Sequence, residues 1–197
     1  MTAKGETTRA EILDRAAALA RVVGLGGVTI GQLATDLGLS KSGLFAHFGS
    51  KEALQIAILD RAAEDFVDRV VRPSLARPRG EPRLRELFER WQSWGLGAAA
   101  GGCLFVAASA ELDDRPGPVR DRLVSQQRDW LDAITQVVRS GQGDGAFRAE
   151  VDPAQVAFEI YGLMLSAHHL VRLMGDARGK DQAQAAFDAL VDRIRAR

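Results

Sequence analysis

The sequence predicts an all-helical protein in which a small three-helix domain with a helix-turn-helix precedes a larger helical domain. Three observations predict this fold class. Apolar residues recur at the 3.6-residue period of amphipathic helices, good helix formers dominate the composition, and alternating runs of β-branched and aromatic residues do not cluster. The 197 residues are 46% hydrophobic, which is ample for a packed core. We expect the domains to cover residues 1–50 and 51–197, with a connecting helix over about 51–71.

Charge and cysteine content narrow the class of protein. The 26 basic and 26 acidic side chains give zero net charge, and residues 1–51 carry six basic and four acidic groups, an excess that permits DNA binding without demonstrating it. The single cysteine, Cys103, excludes an intramolecular disulfide framework and a multi-cysteine zinc site. A polar N-terminal segment and the lack of any run of about 18 apolar residues predict a cytoplasmic protein without a membrane partner.

Capping residues predict the first four helices. Thr8 with Glu11 and Thr29 with Gln32 have the spacing of capping boxes, in which each side chain satisfies a free backbone N–H of the other residue. Glycines after the apolar stripes end the helices, because glycine adopts the left-handed conformation easily. The expected helices are residues 8–23, 29–38, 40–47 and 51–71, with Ser40 and Ser50 as the N-caps of the last two.

Proline and glycine divide the rest of the chain. The segment 72–83 contains three prolines and predicts a loop, and Asp152 followed by Pro153 predicts a helix start. The remaining helices are expected over residues 84–96, 103–112, 119–140, 153–174 and 181–196.

The second and third helices have the pattern of a helix-turn-helix. Ala34 is small where two helices must cross closely, Gly38 supplies the turn, and four leucines fill the wedge between the helices: Leu33, Leu37, Leu39 and Leu44. A second helix of this kind lies in the DNA major groove, and its exposed residues here would be short or cationic: Ser40, Lys41, Ser42, Gly43 and His47. Two alternatives stay open: an ordinary helical hairpin without a binding role, and a helix-turn-helix that packs on a protein instead of DNA.

The stretch from about Thr8 to Leu59, which includes GLFAHFGSKEAL at residues 43–54, resembles the DNA-binding domain of TetR/AcrR regulators. The resemblance implies that Thr29 and Lys51 contact phosphates of double-stranded operator DNA, the latter beside the positive N-terminal end of its helix. It also places Lys41, Ser42 and Gly43 on the recognition helix, with His47 near the DNA backbone. A structural role for His47, tying the third helix to the fourth, is the alternative.

One residue departs from the family pattern. Phe45 stands where the family usually has tyrosine, so the hydroxyl that could bind a phosphate is missing. Its position still belongs to the DNA-binding residues, but the ring itself is expected only to pack.

The C-terminal half predicts a homodimer. The helix from Pro153 is apolar on more than one side, which is typical of a helix buried on two faces. In the family that the chain resembles, the last two helices form a four-helix dimer interface, for which the candidates here are Phe158, Tyr161, Leu165, Phe187, Leu190 and Ile194. The alternative is that both helices complete a monomeric core.

The same half offers side chains suited to a small-molecule effector. Large aromatic and thioether surfaces with a few polar tips are typical of such sites, and the candidates are Trp91, Trp94, Phe105, Trp130, Tyr161, Met164 and His168. Taken singly, each of these residues fits an ordinary core better than a ligand site. The glycine- and alanine-rich segment 95–102 predicts either a mobile cover over the pocket or a simple connection.

An enzyme is the rival class of function. His168 and His169 point about 100° apart on a helix and rarely share a metal, and Asp113 and Asp114 with Glu111 fit a solvated turn. We therefore expect no catalytic residue, metal site or cofactor. The prediction is a ligand-responsive regulator, a repressor that releases a palindromic operator when an effector binds, with activation left open.

Overall fold

The computed structural model describes residues 3–97 and 101–196, with side chains from residue 9 onward. All regular structure in these ranges is helical apart from one isolated bridge between Phe147 and Arg195, so the all-α prediction is confirmed. The helices are α1 (Ala3–Val23), α2 (Ile30–Leu37), α3 (Lys41–Phe48), α4 (Lys51–Phe66), α5 (Arg72–Leu75), α6 (Glu81–Leu96), α7 (Leu104–Leu112), α8 (Pro118–Gly143), α9 (Pro153–His168) and α10 (Arg178–Ile194).

The predicted starts of α1, α6 and α10 are wrong; α10 begins at Arg178, three residues before the predicted residue 181. Helix α1 begins at Ala3, so Thr8 lies inside the helix and is not its N-cap; the preceding residues include the helix formers Ala3 and Lys4, which extend the helix past the local cap signal. Helix α6 begins at Glu81, three residues before the predicted start, because Pro82 falls in its first turn, where a missing N–H breaks no helical bond.

The helix after Lys51 is longer and less regular than predicted. Helix α4 ends at Phe66, π-helical geometry follows over Val67–Val71, and α5 then includes Pro73 in its first turn. Because proline is tolerated there, the loop predicted to start at Arg72 starts only after Leu75. The helix predicted over 153–174 changes in the same way, since π-helical geometry at His169–Leu173 follows α9.

The described chain forms two compact units. The N-terminal unit contains the residues through Asp65 together with 101–125, and the C-terminal unit contains 66–97 and the residues from Gln126 onward. The predicted functional division at residue 50 stays a prediction about activity, whereas these units describe packing. Part of the glycine-rich segment is ordered helix, because Gly95 and Leu96 end α6; residues 98–100 lie outside the described residues.

Each unit has its own apolar core. In the N-terminal unit, α1 packs on α2 and α7, and buried side chains such as Ile12, Leu33, Leu44 and Ile58 meet in one cluster. In the C-terminal unit, α9 packs on α10 and α6, and Phe88 stacks on Phe187 with ring centroids 4.1 Å apart. The N-terminal core fixes α2 and α3 to each other, which positions the candidate site described next.

Candidate nucleic-acid interface

The turn between α2 and α3 has the geometry that its sequence predicts. The Thr29 hydroxyl accepts a hydrogen bond from the Gln32 N–H at 3.2 Å, which confirms Thr29 as the N-cap of α2. Gly38 adopts the left-handed conformation with φ 65° and ends α2, and the Ser40 hydroxyl then caps α3 by accepting from the Gly43 N–H at 3.0 Å. Capping interactions therefore fix the ends of both short helices on either side of one tight turn.

The apolar wedge behind this turn is nearly as predicted. Leu33 and Leu44 are fully buried and Ala34 almost so, which lets α2 and α3 approach closely. Leu39 is the exception, because it directly follows the turn glycine and lies at the surface instead of in the wedge.

Helix α3 presents a continuous exposed face. Lys41, Ser42 and Gly43 are exposed in its first turn, while Leu44 and Phe48 anchor the opposite side in the core. The Lys41 side chain reaches toward the first turn of α2, where its Cε lies 3.4 Å from the position that a β-carbon on Gly31 would take. A short helix with one buried and one open side has the form required for insertion into a groove.

Phe45 corrects one expectation. Its side chain is 50% exposed, so the ring does not simply pack in the core. Helical spacing puts it on the same face as Lys41 and Ser42, which precede it by four and three residues. An exposed phenyl ring has no hydroxyl for a phosphate, but it can make apolar contacts, of which the thymine methyl group is the one offered by the major groove.

His47 is half-buried at the end of α3. Its ring lies 6.3 Å from that of Phe48, centroid to centroid, and the Arg9 guanidinium lies 5.3 Å from the Phe48 ring centre. The position is compatible with both predicted roles, near the DNA backbone or within the structure.

Lys51 begins α4 beside the turn that joins α1 to α2. Ser50 caps this helix, since its hydroxyl accepts from the Ala53 N–H at 3.0 Å, as predicted. The exposed Lys51 ammonium donates to the Gly26 carbonyl at 3.0 Å and retains two further N–H donors for a phosphate.

The turn itself is held by a residue that the sequence analysis assigned to a solvated cluster. Glu111, in α7, accepts hydrogen bonds from the backbone N–H groups of Leu25 at 2.9 Å and Gly26 at 2.7 Å. No local pattern marks this contact, because 86 residues separate Glu111 from Leu25.

The C-terminal unit contains six of the seven candidate effector residues. Trp91, Trp130 and Met164 are buried, and Trp94, Tyr161 and His168 are partly exposed. The Tyr161 hydroxyl donates to the Gln127 side chain at 2.8 Å, and burial lowers the pKa of His168 below its usual value.

Phe66 is an aromatic residue that the sequence analysis missed. Its ring meets those of Trp94 and Trp130 edge-to-face, with centroids 5.0 and 4.7 Å away. Phe105, the seventh candidate, lies in the N-terminal unit, where it packs against that unit's core.

The candidate dimer residues divide into two groups. Phe158 is 67% exposed and Leu165 is 36% exposed on one side of α9, and Tyr161 is partly exposed. Phe187, Leu190 and Ile194 are at most 5% exposed within the single chain. These three side chains pack mainly in the core of their own protomer, so their place in a dimer interface stays a prediction.

Comparison with known proteins identifies the chain. Residues 12–66 match the family model "Bacterial regulatory proteins, tetR family", and residues 80–187, more than half of the chain, match "Tetracyclin repressor-like, C-terminal domain". The chain belongs to the TetR family of transcriptional regulators.

The relatives of this TetR-family chain cover most or all of its length. The transcriptional repressor NemR of Escherichia coli K12 is 26% identical over 164 residues, which are 82% of each protein. A TetR regulator from Chloroflexus aurantiacus is 28% identical and superimposes with a TM-score of 0.87 over the whole of both chains. A regulator from Saccharomonospora viridis, solved in complex with choline, is 25% identical with a TM-score of 0.82 over 98% of this chain and all of its own.

The structure also locates the residues that the sequence analysis weighed as signs of an enzyme. Burial raises the pKa of the Cys103 thiol to about 11, which keeps it protonated and poorly nucleophilic at neutral pH. Asp113 and Asp114 are exposed in the turn after α7. Within the described ranges no helix combines the length and apolar character needed to cross a membrane, and no three metal-ligating side chains cluster.

Proposed function

We propose that this TetR-family regulator is a repressor that binds a palindromic operator as a homodimer and releases it when a small molecule binds the C-terminal unit. The observation that carries the proposal is the α2–α3 geometry: two capped helices whose second member keeps Lys41, Ser42 and Phe45 on an open face.

The DNA contacts divide by chemistry. Thr29 at the start of α2 and Lys51 at the start of α4 supply a hydroxyl and an ammonium for phosphates, next to the positive ends of their helices. Lys41 and Ser42 supply donors for base edges, and the Phe45 ring supplies an apolar surface for a thymine methyl group. Phosphate contacts set affinity for any duplex, whereas base contacts set sequence preference.

The exposed side of α9 supports the proposed homodimer. Phe158 and Leu165 lie two turns apart and are joined on that side by Gly162, which has nothing within 4 Å of the position a β-carbon would take. A large phenyl ring left open beside a flat glycine position fits burial against a second copy. A twofold dimer would present two α3 helices to successive major grooves about 34–36 Å apart.

The effector response is proposed for the aromatic part of the C-terminal unit. Phe66 is the last residue of α4 and contacts Trp94 and Trp130, so a ligand that displaces these rings would act on the helix that begins at Lys51. Such a ligand favours the conformation whose recognition helices no longer match the operator. The choline bound by the relative from Saccharomonospora viridis makes choline the first probe, because aromatic rings attract quaternary ammonium groups.

The test is selection of bound duplexes from a random library at moderate salt. Enrichment of one palindrome is expected, and failure to enrich any sequence at any salt would overturn the proposal. Lys51→Ala should then weaken binding to all duplexes and lower the salt dependence by about one phosphate contact, while Lys41→Ala and Ser42→Ala change the preferred sequence. Equal loss of discrimination in all three variants would contradict this division of roles.

A further inference from the structure

We infer that Glu111 is a positioning residue for operator binding, which acts from α7 on the α1–α2 turn and through it on Lys51 and Thr29. This inference rests on the proposed DNA-binding function. Glu111 itself belongs to the sequence matched by the C-terminal family model, residues 80–187, whereas the turn belongs to the DNA-binding match, residues 12–66.

The contact is a two-point clamp. Each carboxylate oxygen of Glu111 accepts from one of two consecutive backbone N–H groups, Leu25 to Oε1 and Gly26 to Oε2. Hydrogen bonds to an ionised acceptor are stronger than those between neutral groups, and two parallel bonds fix orientation as well as distance. The carboxylate therefore defines the plane of the turn's backbone.

The turn is shaped to receive this carboxylate. Gly24 has φ 82°, and a β-carbon there would lie 2.5 Å from Glu111 Oε1; a β-carbon on Gly26 would lie 3.0 Å from Oε2. Only glycine permits both the left-handed backbone and the close approach at position 24. The absence of a β-carbon at Gly24 and Gly26 therefore leaves room for the Glu111 carboxylate, although Glu111 is distant in sequence.

The other side of the same turn is held by α4. Lys51 donates to the Gly26 carbonyl at 3.0 Å, and the Gln55 side chain donates to the Leu25 carbonyl at 3.3 Å. The N–H group of Gly26 is thus fixed by Glu111, and its carbonyl fixes the ammonium that we assign to a phosphate. Thr29, the other phosphate ligand, follows directly after buried Val28 at the end of this turn.

The experiment compares Glu111→Gln, which keeps the side-chain shape but loses the charge and one acceptor, with the control Asp114→Asn in the exposed turn after α7. The first measurement is amide hydrogen exchange without DNA. Exchange of the Leu25 and Gly26 amides should become about tenfold faster in Glu111→Gln, since about 1.4 kcal/mol is tenfold in an opening equilibrium, and stay unchanged in Asp114→Asn. Unchanged protection, or equally faster exchange throughout the N-terminal unit, would overturn the clamp.

The second measurement is binding to the selected operator and to an unrelated duplex over a salt series. Glu111→Gln should weaken both about tenfold and reduce the salt slope by about one, and adding Lys51→Ala should then cause little further loss. Wild-type affinity and slope in Glu111→Gln would overturn the positioning role even if the clamp exists. If the wild-type protein selects no duplex, the proposed function fails. The exchange measurement still tests independently whether Glu111 holds the Leu25 and Gly26 amides.

Discussion

Replacing Gly38 with alanine isolates the energetic role of the helix-turn-helix turn. Gly38 has φ 65°, and nothing lies within 4 Å of the position a β-carbon would take, so the substitution adds backbone strain without a steric clash. The left-handed backbone conformation destabilises an L-residue by roughly 1–2 kcal/mol. Alanine also lowers the conformational entropy of the unfolded chain, which stabilises the folded state by about 0.4–1 kcal/mol. Gly38→Ala should therefore lower the free energy of unfolding by about 1 kcal/mol.

The assay is urea unfolding followed by circular dichroism at fixed protein concentration, since a dimer's stability depends on concentration. Gly31→Ala, in the helix that Gly38 ends, is the matched control: its β-carbon would meet only the Lys41 side chain, Cε at 3.4 Å and Nζ at 3.8 Å, and its φ is not positive. Alanine favours helix there by about 0.5 kcal/mol, so the control should move stability upward. If Gly38→Ala were as stable as the wild-type protein, the turn would not require left-handed geometry and the reasoning would be refuted.

Three further outcomes test other parts of the molecule. Phe158→Asp should convert the proposed dimer to a monomer in analytical sedimentation, whereas Phe158→Leu should not. If the Phe158→Asp variant stays dimeric, α9 does not form the dimer interface. Hydrogen bonds from Arg195 are the main reason that the pKa of Glu81 falls from 4.5 to about 2, so its ion pair stabilises the fold above about pH 4.5. Glu81→Gln should cost about 1 kcal/mol at pH 7, after screening by solvent, and the difference in urea midpoint should close between about pH 4.5 and 2; a constant difference contradicts this. Buried Cys103 should react with a thiol reagent only after unfolding, and rapid reaction of the native protein would contradict its raised pKa.

The parts of the fold that sequence predicted correctly are those with local causes. Thr29, Ser40, Ser50 and Asp152 cap their helices through bonds to N–H groups two or three residues away, so the signal and the structure share one short segment. Thr8 had the same signal and failed, because helix-forming residues before it continue the hydrogen-bonding pattern. A cap motif indicates where a helix can begin, not where it must.

The parts that sequence could not predict depend on distant partners. Phe187 and Phe158 both belong to apolar stripes, yet Phe187 stacks on Phe88 in the core and Phe158 is open to solvent, a difference that only the packing of α6 and α10 decides. The contact of Glu111 with the turn likewise joins residues more than 80 positions apart. Periodicity shows that a face is apolar but not which neighbour covers it.

The position of Glu111 has a consequence for exchanging modules between regulators. Sequence similarity suggests cutting such chains between residues 66 and 80, where one family match ends and the next begins. A hybrid joined there would pair the glycine turn of one parent with an α7 segment from another, although residues 101–125 pack with the N-terminal unit. Hybrids that also transfer 101–125 with the DNA-binding segment should retain operator affinity, and in natural lineages the two segments should have been inherited together.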